Sequence, residues 1–265
     1  MSLAVLLLSA ACPVAAPLPD GDTFVRGLLS AQRGREDALS RYTYDVSELR
    51  EELDRSGRVR KRRTRDFEVF MVRGRPVRRL VATDGQPLTG RAREKEERRV
   101  RELAEALAAG RAATEQPGVR LSKVLERYRF VAVSRAELEG RCAIAFEFTA
   151  LPGDFALERD SVLRRLAGRL WVDEEERAVA RVEVHNTSAI RIALGLGASV
   201  SSLGFRSEFT RLPDGVWLPR SIETLAVGRK LLVSGFRVRT TTSYGRYRRF
   251  EVEVQEQLRE EPDPR

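Results

Sequence analysis

The chain holds one histidine, His185, and two cysteines, Cys12 and Cys142, so an imidazole- or thiolate-based metal centre or relay has three residues in 265 to build on. A zinc site takes four ligands, and a Ser-His-Asp relay needs its imidazole buried beside a hydroxyl. His185 falls among the charged residues Arg181 and Glu183 of an alternating run whose other face is Ala180, Val182 and Val184. Its ring is therefore expected to point outward, and no catalytic or metal role is expected for it. Cys142 alternates with Arg141 and Ala143 and shares a face with Ile144, Phe146 and Phe148, which reads as a buried thiol and not as a nucleophile.

Carboxylates are abundant without forming a constellation. Glu94, Glu96 and Glu97 interleave with Arg and Lys at helical spacing, the pattern of a solvated helix face. Leu194-Gly195-Leu196-Gly197 lacks the spacing and the following helix that a phosphate loop requires. Arg58-Val59-Arg60-Lys61-Arg62-Arg63 is the one dense basic run; no aromatic platform interleaves with it, which disfavours nucleic acid and leaves lipid headgroups or a protein partner for Arg60, Lys61 and Arg62. No enzyme, no cofactor and no metal is expected.

The elements around these residues are mostly strands. With 42% hydrophobic and 33% charged residues the chain is globular with a heavily solvated exterior, and the net charge of +9 is spread among alternating signs. Residues 1–16 are uncharged, with an apolar run from Leu3 to Leu8 followed by small residues, the form of an export signal. Two processing routes fit: cleavage after Val14-Ala15-Ala16, or lipidation of Cys12 after Ser9-Ala10-Ala11. Either route leaves Cys142 without an intramolecular disulfide in the mature protein.

A first helix is expected from Asp22 or Thr23 to about Leu39, then a hairpin over 41–72 with Tyr42, Tyr44 and Val46 on one face and Phe67, Val69 and Met71 on one face of the return arm. A third strand follows at 76–83. Residues 91–110 form a charged helix with a narrow apolar stripe of Val100, Leu103, Ala104 and Leu107, suited to lie on a surface or over an opening. After a short helix at 121–128, strands are expected near 129–133 and 141–149, a helix at about 160–167, and then an antiparallel meander to residue 257. Within the meander, 190–203 is a loose strand and Pro213-Asp214-Gly215 turns a hairpin over 206–223 in which Pro219 forces an edge or a bulge. The total is ten or eleven strands.

Two stretches, GRLWVDEEERAVARVEV from Gly168 and FTRLPDGVWLPRSIE from Phe209, resemble the outer-membrane lipoprotein carrier and sorting superfamily, the LolA, LolB and RseB-like proteins. Trp171, Val172, Asp173, Val182 and Glu183 carry the first pattern, and Phe209, Asp214, Gly215, Trp217, Leu218 and Pro219 the second. The resemblance is strong over residues 168–225 and extends elsewhere only as element order.

It implies an α+β, mainly β fold: an unclosed antiparallel β-barrel with helices as a lid over its concave face, here one LolA-like domain over residues 20–258 with a disordered tail at 259–265. It also implies an exported, monomeric, non-enzymatic protein of the periplasm or the outer membrane's periplasmic face. Such a protein would hold a lipid or the acyl chains of a lipoprotein, touching membranes peripherally or through a lipid anchor. An RseB-like module that binds an envelope protein is the alternative. The residues expected to line an acyl-chain cavity are Tyr42, Tyr44, Phe67, Val69, Leu103, Leu107, Phe146 and Phe148, with helix 91–110 as the movable cover.

Overall fold

The computed structural model describes residues 12, 16–111, 121–152, 162–192, 198–230 and 234–250. Helix α1 (Gly21–Ala38) starts two or three residues earlier than the sequence suggests, because Asp20 is its cap: the Asp20 carboxylate accepts from the Thr23 amide at 2.9 Å. Asp22, expected as the cap, instead accepts from the Phe130 amide at 2.7 Å.

Strands β1 (Tyr42–Leu53), β2 (Val59–Val72), β3 (Arg75–Thr83) and β4 (Gln86–Pro87) form a meander, followed by helices α2 (Gly90–Ala108) and α3 (Leu121–Leu125). Then come β5 (Tyr128–Leu138), β6 (Arg141–Ala150), β7 (Leu166–Asp173), β8 (Val179–Asn186), β9 (Ile190–Ile192), β10 (Ala198–Arg211), β11 (Trp217–Lys230) and β12 (Ser234–Arg249).

All twelve strands belong to one antiparallel sheet in the order β4-β3-β2-β1-β12-β11-β10-β8-β7-β6-β5, with β9 paired to β10. The path does not close, so the fold is an unclosed barrel. β12 meets β1 along ten paired positions, bringing the end of the described chain back to its first strand. Three boundaries differ from expectation. β10 runs unbroken through Gly204, because β8 and β11 pair with it on both sides; β12 likewise continues to Arg249 against β1. The helix expected at 160–167 is within the described residues only a 3-10 turn, Leu163–Arg165, since Leu166 already pairs with Asn186.

The hairpin over residues 206–223 forms as expected, with Gly215 at φ 84°. β11 is an interior strand, so Pro219, which cannot donate, is accommodated by a bulge: the register shifts between Glu208 and Phe209 opposite it.

The core lies between the concave face and the first and third helices. Val25 and Leu28 of α1 and Leu125 of α3 pack on Ile144, Phe146, Leu170, Val172 and Val182. Phe146 and Leu170 are fully buried, and Phe24 stacks on Phe146 at 5.2 Å between ring centres. α2 sits differently from the expected cover. Its Val100 and Leu107 pack on Val77, beside Phe70 and Val72. Val77 pairs with Phe70, one step out of phase with the Val69–Arg78 pair, so α2 covers the opposite face of the β2–β3 hairpin. The lid over the concave face is α1 with α3.

The two cysteines are joined by a disulfide, with Cα atoms 5.3 Å apart, where none was expected. Arg135, nearly buried and paired with Glu174 at 2.9 Å, donates to the carbonyls of Ala16 and Pro17 and so holds this segment against β5. A sulfur in this bond is not available for acylation, so the bond and a lipid on Cys12 exclude one another. Residues 1–11 and 13–15 of the expected export signal and the 259–265 tail lie outside the described residues.

Candidate functional site

Cross-strand partners in a sheet share a face, so the register can be read as rows running across the barrel wall. One row is Arg65, Glu48, Thr242, Ile222, Ser207, Val182, Leu170 and Phe146, from β2 to β6. The next row toward the hairpin tip is Arg63, Arg50, Thr240, Thr224, Phe205, Val184, Gly168 and Phe148. Both are apolar at the β6–β8 end, hydroxylated in the middle and charged at β1–β2. Glycine is required at 168: a Cβ there would lie 1.9 Å from the Glu183 carbonyl oxygen and 2.8 Å from the Phe148 ring. Only a bare backbone lets that ring lie flat on the wall.

Between this wall and α1 and α3 is a cavity of about 870 Å³, lined mainly by apolar side chains. The volume is within the range of sites that bury small molecules. Of the eight residues expected to line it, Tyr44, Val69, Leu103, Leu107 and Phe148 do, the two leucines at its rim near Gly74 and Pro76. The other three are packing residues. Phe146 is sealed beneath α1, Tyr42 meets Tyr247 edge-on and donates to Asp214, and Phe67 lies under the guanidinium of Arg78 at 4.0 Å. Lining residues outside the expected set include Ile222, Thr242 and Tyr244, legible in the alternation of their strands but not assignable to a face without the pairing of β12 to β1.

The cavity's polar groups are mostly engaged by one another. Glu36 accepts from the Ser122 amide and hydroxyl at 2.8 and 2.7 Å, fastening α1 to α3. Arg35 donates to the carbonyls of Glu176 and Arg177 at 2.7 and 2.9 Å; desolvation lowers its pKa, against the pull of Glu176 and Asp173. Burial raises Glu48, but hydrogen bonds from Arg65 and Arg78 outweigh this and hold its carboxyl below the usual range. Burial pushes the Tyr44 phenol up to about 12, leaving it a neutral hydroxyl on an apolar wall. The Nε of Arg78 is buried without a hydrogen-bond partner.

The basic run is at the tip of the β1–β2 hairpin, and Arg60, Lys61 and Arg62 are exposed. They do not act together. Arg62 donates to the buried Glu51 at 2.9 Å on the face opposite the cavity, where Arg239 also holds Glu51. Lys61 pairs with Glu52 on the cavity's face. His185 is exposed on β8 between Gly204 and Ala167. Among the described residues no group of three or more His, Cys, Asp or Glu side chains is arranged to hold a metal ion, and no helix is long and apolar enough to cross a membrane.

No family model and no curated protein matches the chain. Solved structures do. An outer membrane lipoprotein-sorting protein domain from Vibrio parahaemolyticus is 11% identical, covering 88% of this chain and 95% of that one, with a TM-score of 0.39. A LolA superfamily protein from Nitrosomonas europaea is 13% identical over 84% and 94%, with a TM-score of 0.27. A chain of the Pseudomonas aeruginosa MucA/MucB complex is 12% identical over 84% and 99%, with a TM-score of 0.25. At 11–13% identity and TM-scores below 0.5, each of these is a likeness in fold alone.

Proposed function

We propose that the protein is an exported, non-enzymatic binder of acyl chains, carrying a lipid or the lipid moiety of a lipoprotein in the cell envelope. The observation that carries this reading is the apolar cavity of about 870 Å³ between the concave sheet face and helices α1 and α3. Each methylene moved from water into it contributes about 0.8 kcal/mol, so a chain of a dozen or more carbons binds without any specific polar contact. Hydroxyls such as Tyr44 and Thr242 tolerate a chain without demanding one. The apolar run at Leu3–Leu8 supports export, with residues 20–258 acting as one domain.

The test is direct. Protein purified from the envelope fraction is extracted for lipid mass spectrometry, then delipidated and titrated with a fluorescent fatty acid. Copurifying lipid and saturable uptake are expected; an empty extract together with no uptake overturns the reading.

A second reading, an envelope module that binds a protein, is favoured by one feature. β5 is one of the sheet's two edges and exposes Val131 and Val133, at 56% and 37%, where an incoming strand could pair beyond the Phe130 amide that Asp22 occupies. A partner lost on Val131→Lys, with no lipid bound, would favour it.

A further inference from the structure

We propose that the cargo is an anionic amphiphile, and that Arg50, Lys61 and Arg63 form the seat for its phosphate or carboxylate headgroup. The proposal rests on the acyl-chain reading of the cavity and adds the chemistry of the other end of the ligand.

Arg63 and Arg50 are directly opposed on β2 and β1, and both are exposed. Like charges so placed repel, and neither has an ion-pair partner among the described residues. Lys61 is the next residue of β2 on the same face, opposite Glu52. The same face also holds Glu48, already matched by Arg65 and Arg78. On this face of β1–β3, among the described residues, Arg50, Lys61, Arg63, Arg65 and Arg78 thus stand against Glu48 and Glu52. The excess is positive and centred on Arg50 and Arg63, which no carboxylate among the described residues pairs with.

Its position gives it meaning. Arg63 and Arg50 end the row that continues through Thr240 and Thr224 to Phe205, Val184 and Phe148, and Thr224, Phe205, Val184 and Phe148 line the cavity. Neighbouring strands are about 4.8 Å apart, so Arg50 on β1 is about 14 Å from Phe205 on β10, three strands away. Along that line the wall passes from aromatic and aliphatic to hydroxyl to guanidinium. An extended chain with its tail among Phe205, Val184 and Phe148 would bring its headgroup past the threonines to the cations. Guanidinium pairs grip phosphate or carboxylate oxygens bidentately, which also removes the Arg50–Arg63 repulsion.

The experiment uses N-phenyl-1-naphthylamine, an uncharged probe, to report the cavity, with three competitors of one chain length: palmitoyl lysophosphatidic acid, palmitate and monopalmitoylglycerol. The native protein is expected to release the probe at concentrations at least about tenfold lower for the two anions than for the neutral glyceride. R50Q/K61Q/R63Q should erase that preference while leaving probe binding and glyceride competition unchanged, and R60Q/R62Q should keep it. Equal competition by all three ligands in the native protein overturns the headgroup seat and leaves the cavity reading standing. Failure of the probe to enter overturns the cavity reading instead. Inorganic phosphate that stabilises the native protein to heat as strongly as lysophosphatidic acid, but not the triple variant, would assign the seat to a free anion and overturn its assignment to a lipid.

Discussion

The indole Nε1 of Trp217 donates to Glu176 Oε2 at 2.6 Å, tying the first residue of β11 to the turn between β7 and β8. The two most legible stretches of the sequence, around Trp171–Glu183 and Phe209–Glu223, therefore meet through a side-chain hydrogen bond as well as through the β8–β10–β11 ladder. Glu176 also accepts from Arg211, and its backbone carbonyl from Arg35. One turn thus gathers a strand end, a hairpin and the lid helix. Trp217→Phe keeps an aromatic ring but removes both the donor and the second ring of a buried indole, so it should lower stability by at least about 1 kcal/mol, read from the urea midpoint at unchanged slope. No change in midpoint would show the bond to be dispensable.

Acid should attack the same turn. Burial raises Asp173, but the Arg141 hydrogen bond and the Glu176 amide outweigh it; burial likewise raises Glu176, and the Trp217 and Arg211 bonds outweigh it. Both carboxyls end below their ordinary values of 3.8 and 4.5. A depressed folded pKa means stability that is complete above the unfolded value and is lost as pH falls through the folded one. Stability should therefore be flat from neutral pH to about 5 with respect to this pair and decline below about 4, and Asp173→Asn should be less stable at pH 7 with a shallower acid limb. Parallel acid limbs for the two proteins would refute the assignment.

Wall and core should respond differently. Phe146→Ala, beneath α1, should cost about 3–5 kcal/mol. Thr242→Trp places bulk into the cavity from a half-buried wall position and should cut probe uptake by about tenfold or more with little change in melting temperature. Uptake unaffected by Thr242→Trp would mean that the probe binds elsewhere.

Gly168→Ala forces a Cβ against the Glu183 carbonyl and the Phe148 ring. Backbone cannot yield there without parting β7 from β8, so a loss of at least about 2 kcal/mol is expected, measured by thermal unfolding. A neutral result would show that Phe148 does not lie flat on the wall.

The Cys12–Cys142 bond gives a covalent readout. Intact-mass measurement of the exported protein should find no free thiol and an N-terminus at or before Cys12, and Cys142→Ser should lower stability by about 2–5 kcal/mol. An N-terminus at Pro17 with a reactive Cys142, or an acylated Cys12, would show that processing removes or pre-empts the bond.

Local signals carried much of this protein's plan. Period-two alternation set most strands, Gly215 and Pro213 the hairpin, and helix-forming composition the span of α2, because each depends on neighbours a few residues away. The ends of β10 and β12 were not legible, since strand length there is set by partners such as β1, some 200 residues distant in the chain. The site divides in the same way. Aromatic and branched residues, Tyr44, Val69 and Phe148 among them, could be sorted into faces from the sequence. Whether a face looked into a cavity, a sealed core or solvent depended on what packed over it: α1 over Phe146, Arg78 over Phe67, and α2 on the outer face of β2–β3. The graded wall from Phe148 to Arg50 and Arg63 belongs wholly to the tertiary structure. Its members are scattered from residue 50 to residue 240, and only the closure of β12 onto β1 puts them in one row.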